Sequence, residues 1–272
     1  MGKIEIIDAL NRPLTLNGAA RRIVSLVPSI TETCFMLGAG DSVVGVSEYC
    51  THPPEGVAVK EKIGGVKNPD IEKIIELAPD LVLANKEENH KKHIERLDNE
   101  GIPVFMTYPK TVKQGLRMVR DIALMTDTVA QAEKTLLPIE EVYRDISRLA
   151  DGEERTSVFC PIWKDPYMTI SGDTYIHDVL WSAGGSNIFA SKSDRYPKVR
   201  IEEVIEAAPE VILLPDEPYE FREEDLPDFL KHPEIPAVEN DRIHFIDGKI
   251  TAWFGPRIGE GLVVVCNLLS PY

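Results

Sequence analysis

Aromatic and acidic side chains gather where the apolar runs of this 272-residue chain end. Tyr49 and His52 follow the run from Val43 to Val46, and Asn85 to Asn89 follow the run that starts at Leu81. Tyr108, Trp163 with Tyr167, Tyr196, Asp216 to Tyr219, and Trp253 to Arg257 occupy corresponding places further on. In open parallel sheets ligands bind beyond the carboxyl ends of the strands. Aromatic faces with a few polar groups among them suit a large, flat or multi-ring ligand. The ligand-contact residues expected on this basis are Tyr49, His52, Asn85, Glu87, Trp163, Tyr196, Asp216, Trp253 and Arg257. Trp181 falls within a helical pattern and is expected in the core.

Other groupings could do other chemistry. The acidic turns Glu87-Glu88 and Asp216-Glu217 could face each other and bind a cation or perform acid–base work. His90 and His93 are three apart, a spacing that can put two metal ligands on one helix face, but no third ligand stands at a diagnostic distance. His52 suits a lone axial metal ligand, a role for which Tyr49, Tyr196 and Cys50 compete, so the metal ligand stays open. No GxSxG, P-loop, post-strand GxGxxG or HExxH motif is present, and no nucleophile with a nearby base is identified.

The elements that position these residues form a repeat. IEKIIELAPDLVLANKE, from Ile71, returns as IEEVIEAAPEVILLPDE, from Ile201, with eight identical positions in register. Each copy reads as a short helix, a proline stop and a buried strand. Around each, apolar strand-like runs alternate with helical patterns, which implies a parallel sheet covered on both faces. Between the copies, apolar residues recur at spacings of three and four from Val129 to Ala150, the mark of an amphipathic helix. At ~1.5 Å per residue that helix would span roughly 36 Å, about the width of a lobe.

The expected fold is therefore α/β, with two Rossmann-like lobes of parallel sheet bridged by one long helix and a ligand cleft between the lobes. The expected divisions are an amino-terminal lobe over 1–126, the bridge over 127–151 and a carboxyl-terminal lobe over 152–272. Pro138 lies inside the bridge and could kink it or begin a second helical segment. Ser29 and Glu32 read as a capping box for the first helix. Asn68 and Pro69 read as the cap and first residue of the helix that carries Glu72. A strand is expected over 187–190.

A net charge of −15 argues against a nucleic-acid partner, which needs a basic face. A cationic ligand or a basic protein partner fits better. The four cysteines lack a CxxC pair and suggest neither a zinc site nor a redox motif; Cys34, Cys160 and Cys266 are expected in the core. No run reaches the ~20 apolar residues of a membrane span.

The segments RIVSLVPSITE, IEKIIELAPDLVLA and RYPKVRIEEV, with the long central helix, resemble substrate-binding proteins of ABC importers for vitamin B12, heme and ferric siderophores, most nearly the B12 branch. The likeness runs from Arg22 over nearly the whole chain. It implies a non-enzymatic protein that takes up a corrinoid or other metal chelate and hands it to an ABC permease; a monomer without a cofactor is expected. It also implies that Glu72 and Glu202 dock against permease arginines, and that Tyr49, Trp163, Tyr196 and Arg257 contact ligand. Val66 and Asn85 stand where B12 binders carry tryptophan. Location is expected to be extracytoplasmic if an export signal has been trimmed, and cytoplasmic if Met1 is the native start. The alternatives are a cytoplasmic corrinoid or metal-chelate chaperone, and a hydrolase or chelatase using the two acidic turns.

Overall fold

Short apolar runs, each closed by a polar turn, build the inner strands of the two parallel sheets of the protein. A computed structural model describes residues 2–270. The strands in chain order are β1 (Ile4–Ile7), β2 (Pro13–Leu16), β3 (Ile23–Ser25), β4 (Val43–Val46), β5 (Glu61–Lys62), β6 (Leu81–Asn85) and β7 (Val104–Thr107). Then come β8 (Thr156–Phe159), β9 (Pro161–Trp163), β10 (Met168–Thr169), β11 (Gly185–Asn187), β12 (Val211–Pro215) and β13 (Ile243–Ile246). The helices that matter here are α1 (Pro28–Met36), α2 (Ile71–Glu76), α3 (Lys91–Asn99), α4 (Val112–Thr126), α5 (Val129–Asp151), α6 (Tyr175–Ser182), α7 (Ile201–Ala207), α8 (Pro227–Leu230) and α9 (Ile258–Leu269).

The chain divides into two compact units. The first comprises residues 1–109, 113–137 and 254–256, and the second comprises 110–112, 138–253 and 257–272. The first holds a five-stranded parallel sheet in the order β5-β4-β3-β6-β7, with the antiparallel hairpin β1-β2 beside it. Asp8 ties that hairpin down: its carboxylate accepts from the Leu10 and Arg12 N–H groups and pairs with the Arg12 guanidinium at 2.8 Å. The second holds a four-stranded parallel sheet, β11-β8-β12-β13, and the small antiparallel pair β9-β10. Both central strands, β6 and β12, are buried along their whole length, as parallel strands covered on both faces must be.

The repeat seen in the sequence extends to packing. From Ile71 to Glu87 and from Ile201 to Glu217, the succession of buried, half-buried and exposed residues is the same at every position. Ala78 and Ala208 both adopt left-handed backbone, with φ of 44° and 46°, and end their helices ahead of Pro79 and Pro209. The Asp80 carboxylate accepts from the Arg22 N–H at 3.0 Å, and Asp80 N–H donates to the Arg22 carbonyl at 2.9 Å. The Glu210 carboxylate accepts from the Ser157 N–H at 2.7 Å, and Glu210 N–H donates to the Ser157 carbonyl at 3.0 Å. An acidic residue after the proline therefore fixes each central strand against its neighbour by the same reciprocal bonds.

Several local expectations are corrected. α1 begins at Pro28 with Val27 as its cap; a proline at the first position needs no N–H acceptor, so Ser29 lies inside the helix, buried, and does not cap it. α2 is capped by Asp70, whose carboxylate accepts from the Lys73 N–H at 3.1 Å, and so starts two residues after Pro69. α5 starts at Val129 because Asp127 takes φ of 60° and separates it from α4, and it continues through Pro138 to Asp151. The strand expected over 187–190 forms earlier, over Gly185–Asn187, where its backbone pairs with β8. Trp181 is not core: it is 46% exposed, with the Arg155 guanidinium 3.6 Å from its ring centroid. Cys34 and Cys160 are buried, and burial pushes both thiols up to about 12; Cys266 is only half-buried.

Candidate functional site

The carboxyl end of β4 carries Tyr49, which is 65% exposed. Beneath it Cys50 is buried, its Sγ 3.2 Å from Ser47 Oγ and 3.1 Å from Thr31 Oγ1. Burial raises the Cys50 thiol, which anchors the turn through Thr31 and Ser47. His52 is half-buried, with Nδ1 2.9 Å from Thr51 Oγ1. Among the described residues no group of three or more His, Cys, Asp or Glu is placed to hold a metal ion.

The turn after β6 is knitted by two asparagines. Asn85, expected at a ligand, is only 2% exposed. Its Nδ2 donates to Thr107 Oγ1 at 3.1 Å, and its Oδ1 accepts from the Glu87 N–H at 2.8 Å. Asn89 completes the lock: its Oδ1 accepts from the Asn85 N–H at 2.8 Å, and its Nδ2 donates to the Val66 carbonyl at 2.9 Å. Asn85 therefore shapes the turn that presents Glu87, because its polar atoms are spent inside it. Lys67 Nζ donates to the Glu87 carbonyl, and burial pushes the Glu88 carboxyl above its ordinary range. Tyr108 is half-buried, with Lys86 Nζ 4.4 Å from its ring centroid. His90 and His93 rings lie 6.3 Å apart in this unit.

In the second unit the corresponding ends are aromatic and ionic. Trp163, at the end of β9, is 44% exposed and meets the Tyr219 ring edge-on at 5.8 Å. Tyr219 meets Phe221 at 4.7 Å, and Phe221 stacks on Tyr167 at 6.5 Å. Tyr167 then leads through Phe229 to the fully buried Phe159. Tyr196 is half-buried, with the Arg195 guanidinium 5.6 Å from its ring and held at 2.9 Å by Asp173.

At the ends of β12 and β13 the exposed Asp216 accepts from the Gly248 N–H at 2.8 Å. Gly248 has to be glycine, since a Cβ there would lie 2.7 Å from Glu217 Cγ and 2.8 Å from its carbonyl oxygen. Burial pushes the Glu217 carboxyl up, opposed by Lys249, 4.0 Å away, and by a hydrogen bond from Trp253. The Arg257 guanidinium lies 5.3 Å from the Trp253 ring centroid and 4.0 Å from Asp247. Asp216, Glu217, Trp253 and Arg257 thus share one cluster, and Lys249 joins it. Sequence reasoning missed Lys249, and it missed Lys164, Asp225 and Asp228 beside Trp163, since nothing in local spacing joins residues some sixty positions apart.

Glu72 and Glu202 occupy equivalent, exposed positions in the first turns of α2 and α7. Glu72 lies 3.6 Å from the Arg96 guanidinium; Glu202 makes no ion pair among the described residues.

Comparison with known proteins agrees with this architecture. Residues 23–250 match the family described as periplasmic binding protein. The chain is 31% identical over 196 residues to the vitamin B12-binding protein of Vibrio campbellii, covering 72% of this chain and 71% of that protein. Identity to the Salmonella typhimurium vitamin B12-binding protein is 29% over 257 residues, covering 93% and 91%. The crystal structure of the periplasmic vitamin B12-binding protein of Vibrio cholerae superposes with a TM-score of 0.81 at 26% identity, covering 92% of this chain and 96% of that one. A periplasmic heme-binding protein from Roseiflexus gives 0.77 at 25% identity, covering 93% and 100%. These relatives are binding proteins, not enzymes, and the match over residues 23–250 shows that the chain belongs to the periplasmic binding protein family.

Proposed function

We propose that this protein is the solute-binding component of an ABC importer, working outside the cytoplasm, which captures a corrinoid or another metal-chelate ligand and delivers it to a membrane permease. The observation that carries the ligand class is the set of exposed aromatic rings at strand carboxyl ends, Tyr49 in the first unit and Trp163 in the second, within a family whose B12-binding and heme-binding members share its fold. Flat conjugated ligands gain stacking and apolar burial on such rings. Tyr196, Trp253 and Arg257 add two further rings and a cation able to make a charge-assisted hydrogen bond. Asp216, Glu87 and His52 supply the polar rim. Glu72 and Glu202 are the proposed docking carboxylates: equivalent, exposed and at helix amino termini, where a carboxylate is stabilised by the helix dipole.

Titration with aquocobalamin, hemin and a ferric siderophore, read by tryptophan quenching and thermal shift, tests the ligand class. Saturable quenching by at least one, weakened by Trp163→Ala, is expected; no response to any of the three would overturn the proposal. Charge reversal at Glu72 and Glu202 together is expected to abolish uptake in a reconstituted importer while leaving ligand affinity unchanged.

A further inference from the structure

Trp163 has little of its own to hold it in place. It ends the three-residue strand β9, and the turn that follows it, Lys164 to Tyr167, returns the chain into β10. Its ring meets Tyr219, which belongs to a different segment, after β12. A pair of rings, Trp163 exposed and Tyr219 half-buried, on two short segments would lose much of its binding contribution to rotamer and loop motion unless something fixed both segments together.

A polar knot does so. Lys164 Nζ donates to Asp225 Oδ1 at 2.8 Å and lies 2.9 Å from Asp228 Oδ2. The Tyr219 hydroxyl donates to the same Asp225 Oδ1 at 3.3 Å, and the Tyr167 hydroxyl donates to Asp228 Oδ2 at 2.9 Å. Asp225 Oδ2 accepts from the Arg222 N–H at 3.0 Å. Asp225 is 6% exposed, and the Lys164 side chain is largely covered as well. Both rings of the pair are thus tied to the same carboxylate: Tyr219 directly, Trp163 through its neighbour Lys164. A largely covered ion pair of this kind adds little net stability over an apolar replacement.

We propose that Lys164 and Asp225 are positioning residues, a largely covered ion pair that locks Trp163 and Tyr219 into one preformed aromatic face for the ligand. The proposal rests on the function given above for the ligand, but the orientation of Trp163 can be read without one. The charge is removed from both partners together in Lys164→Met/Asp225→Asn, so that neither ion of the pair is left without the other, and half-buried Asp228 keeps Lys231 at 3.8 Å. Protein labelled with 5-fluorotryptophan carries three fluorine reporters, Trp163, Trp181 and Trp253.

In the ligand-free variant the Trp163 resonance is expected to move and broaden while those of Trp181 and Trp253 stay in place. The dissociation rate of the bound chelate is expected to rise roughly tenfold, about the loss of one well-placed aromatic contact. Tyr219→Phe keeps the ring and cuts only the hydroxyl tie, and it is expected to broaden the Trp163 signal even if the double variant fails to fold. An unchanged Trp163 resonance in Tyr219→Phe or in a folded double variant, or an unchanged dissociation rate once that resonance has moved, would overturn the proposal. If the native protein binds none of the three chelates, the ligand class fails, and the fluorine signal still decides whether the pair positions Trp163.

Discussion

The two copies of the helix–strand repeat agree wherever they are buried and part where they reach the strand ends. From Ile71 to Glu87 and Ile201 to Glu217 they share one burial pattern, one left-handed alanine and one acidic anchor. At the strand ends the chemistry nevertheless departs: Asn85 to Asn89 close a turn through neutral amides, while Asp216 to Tyr219 enter a surface of ions and rings. Along the middle of a central parallel strand the sheet tolerates few solutions, since both faces are covered and side chains there must be apolar and of fitting volume. The rim is not so constrained, so chemistry can differ there at little cost to the fold. Ligand recognition in such a protein should therefore be sought in the departures between the copies.

The equivalence of the buried parts can be broken most forcefully at Leu83 and Leu213, which are both fully buried and occupy the same repeat position. Leu83→Ala and Leu213→Ala should each cost ~2–5 kcal/mol, through lost transfer energy and the cavity left behind. Urea unfolding followed by a probe in each unit should show each substitution shifting chiefly the transition of its own unit, by similar amounts. A near-neutral effect at one leucine and a large one at the other would show that the shared pattern hides different packing.

The strand ends are sharpened by acid. Asp225 and Asp228 are both held below the ordinary aspartate range. For Asp225 burial pushes the other way but is outweighed by the Lys164 ammonium and the Arg222 N–H; for Asp228 the Lys164 hydrogen bond leads. Because the folded values lie below the unfolded value of ~3.9, this stabilisation is fully present above that pH and is lost as pH falls through the folded values. Glu88 in the first unit has the opposite sign, since burial raises its carboxyl. Its ionised form costs stability, and that cost disappears as pH falls through the raised folded value toward the unfolded one. Urea midpoints measured across the acid range should show Asp225→Asn flattening the low-pH fall of the second unit. Glu88→Gln should raise the neutral-pH stability of the first and remove its gain on mild acidification.

Much of the fold was legible because it is written in local patterns. The strand Val104–Thr107 and the helix Ile258–Leu269 lie where periodicity and flanking glycine or proline set them, and the repeat itself predicted two similar units. What escaped depends on residues distant in the chain. Trp181 sits on an amphipathic helix and reads as core, yet it is exposed and stacks against Arg155, twenty-six residues earlier. Asn85 follows a strand as a ligand contact would, and only Thr107 and Asn89 show that its amide is already spent. Exposed Tyr49 and Trp163 were nameable from their place after apolar runs, whereas Lys164 and Asp225 became visible only when the fold brought the turn after β9 against the segment that follows β12.

The smallest effect concerns the one exposed position at which the copies are chemically identical but differently partnered. Glu72 has the Arg96 guanidinium at 3.6 Å, and Glu202 has no cation in reach among the described residues. Both side chains stand largely in water, where a salt bridge is screened and contributes little. Glu72→Gln and Glu202→Gln should therefore each leave stability within ~0.5 kcal/mol of native, the usual range for surface changes. If docking is what retains the pair, the two substitutions should instead be felt alike in transport, with Arg96 making Glu72 the less available of the two at low salt. Uptake by a reconstituted importer, measured for each single variant at low and high ionic strength, separates these effects. Arg96→Gln should then raise transport slightly at low salt, because it frees Glu72 for the permease, and should change nothing at Glu202.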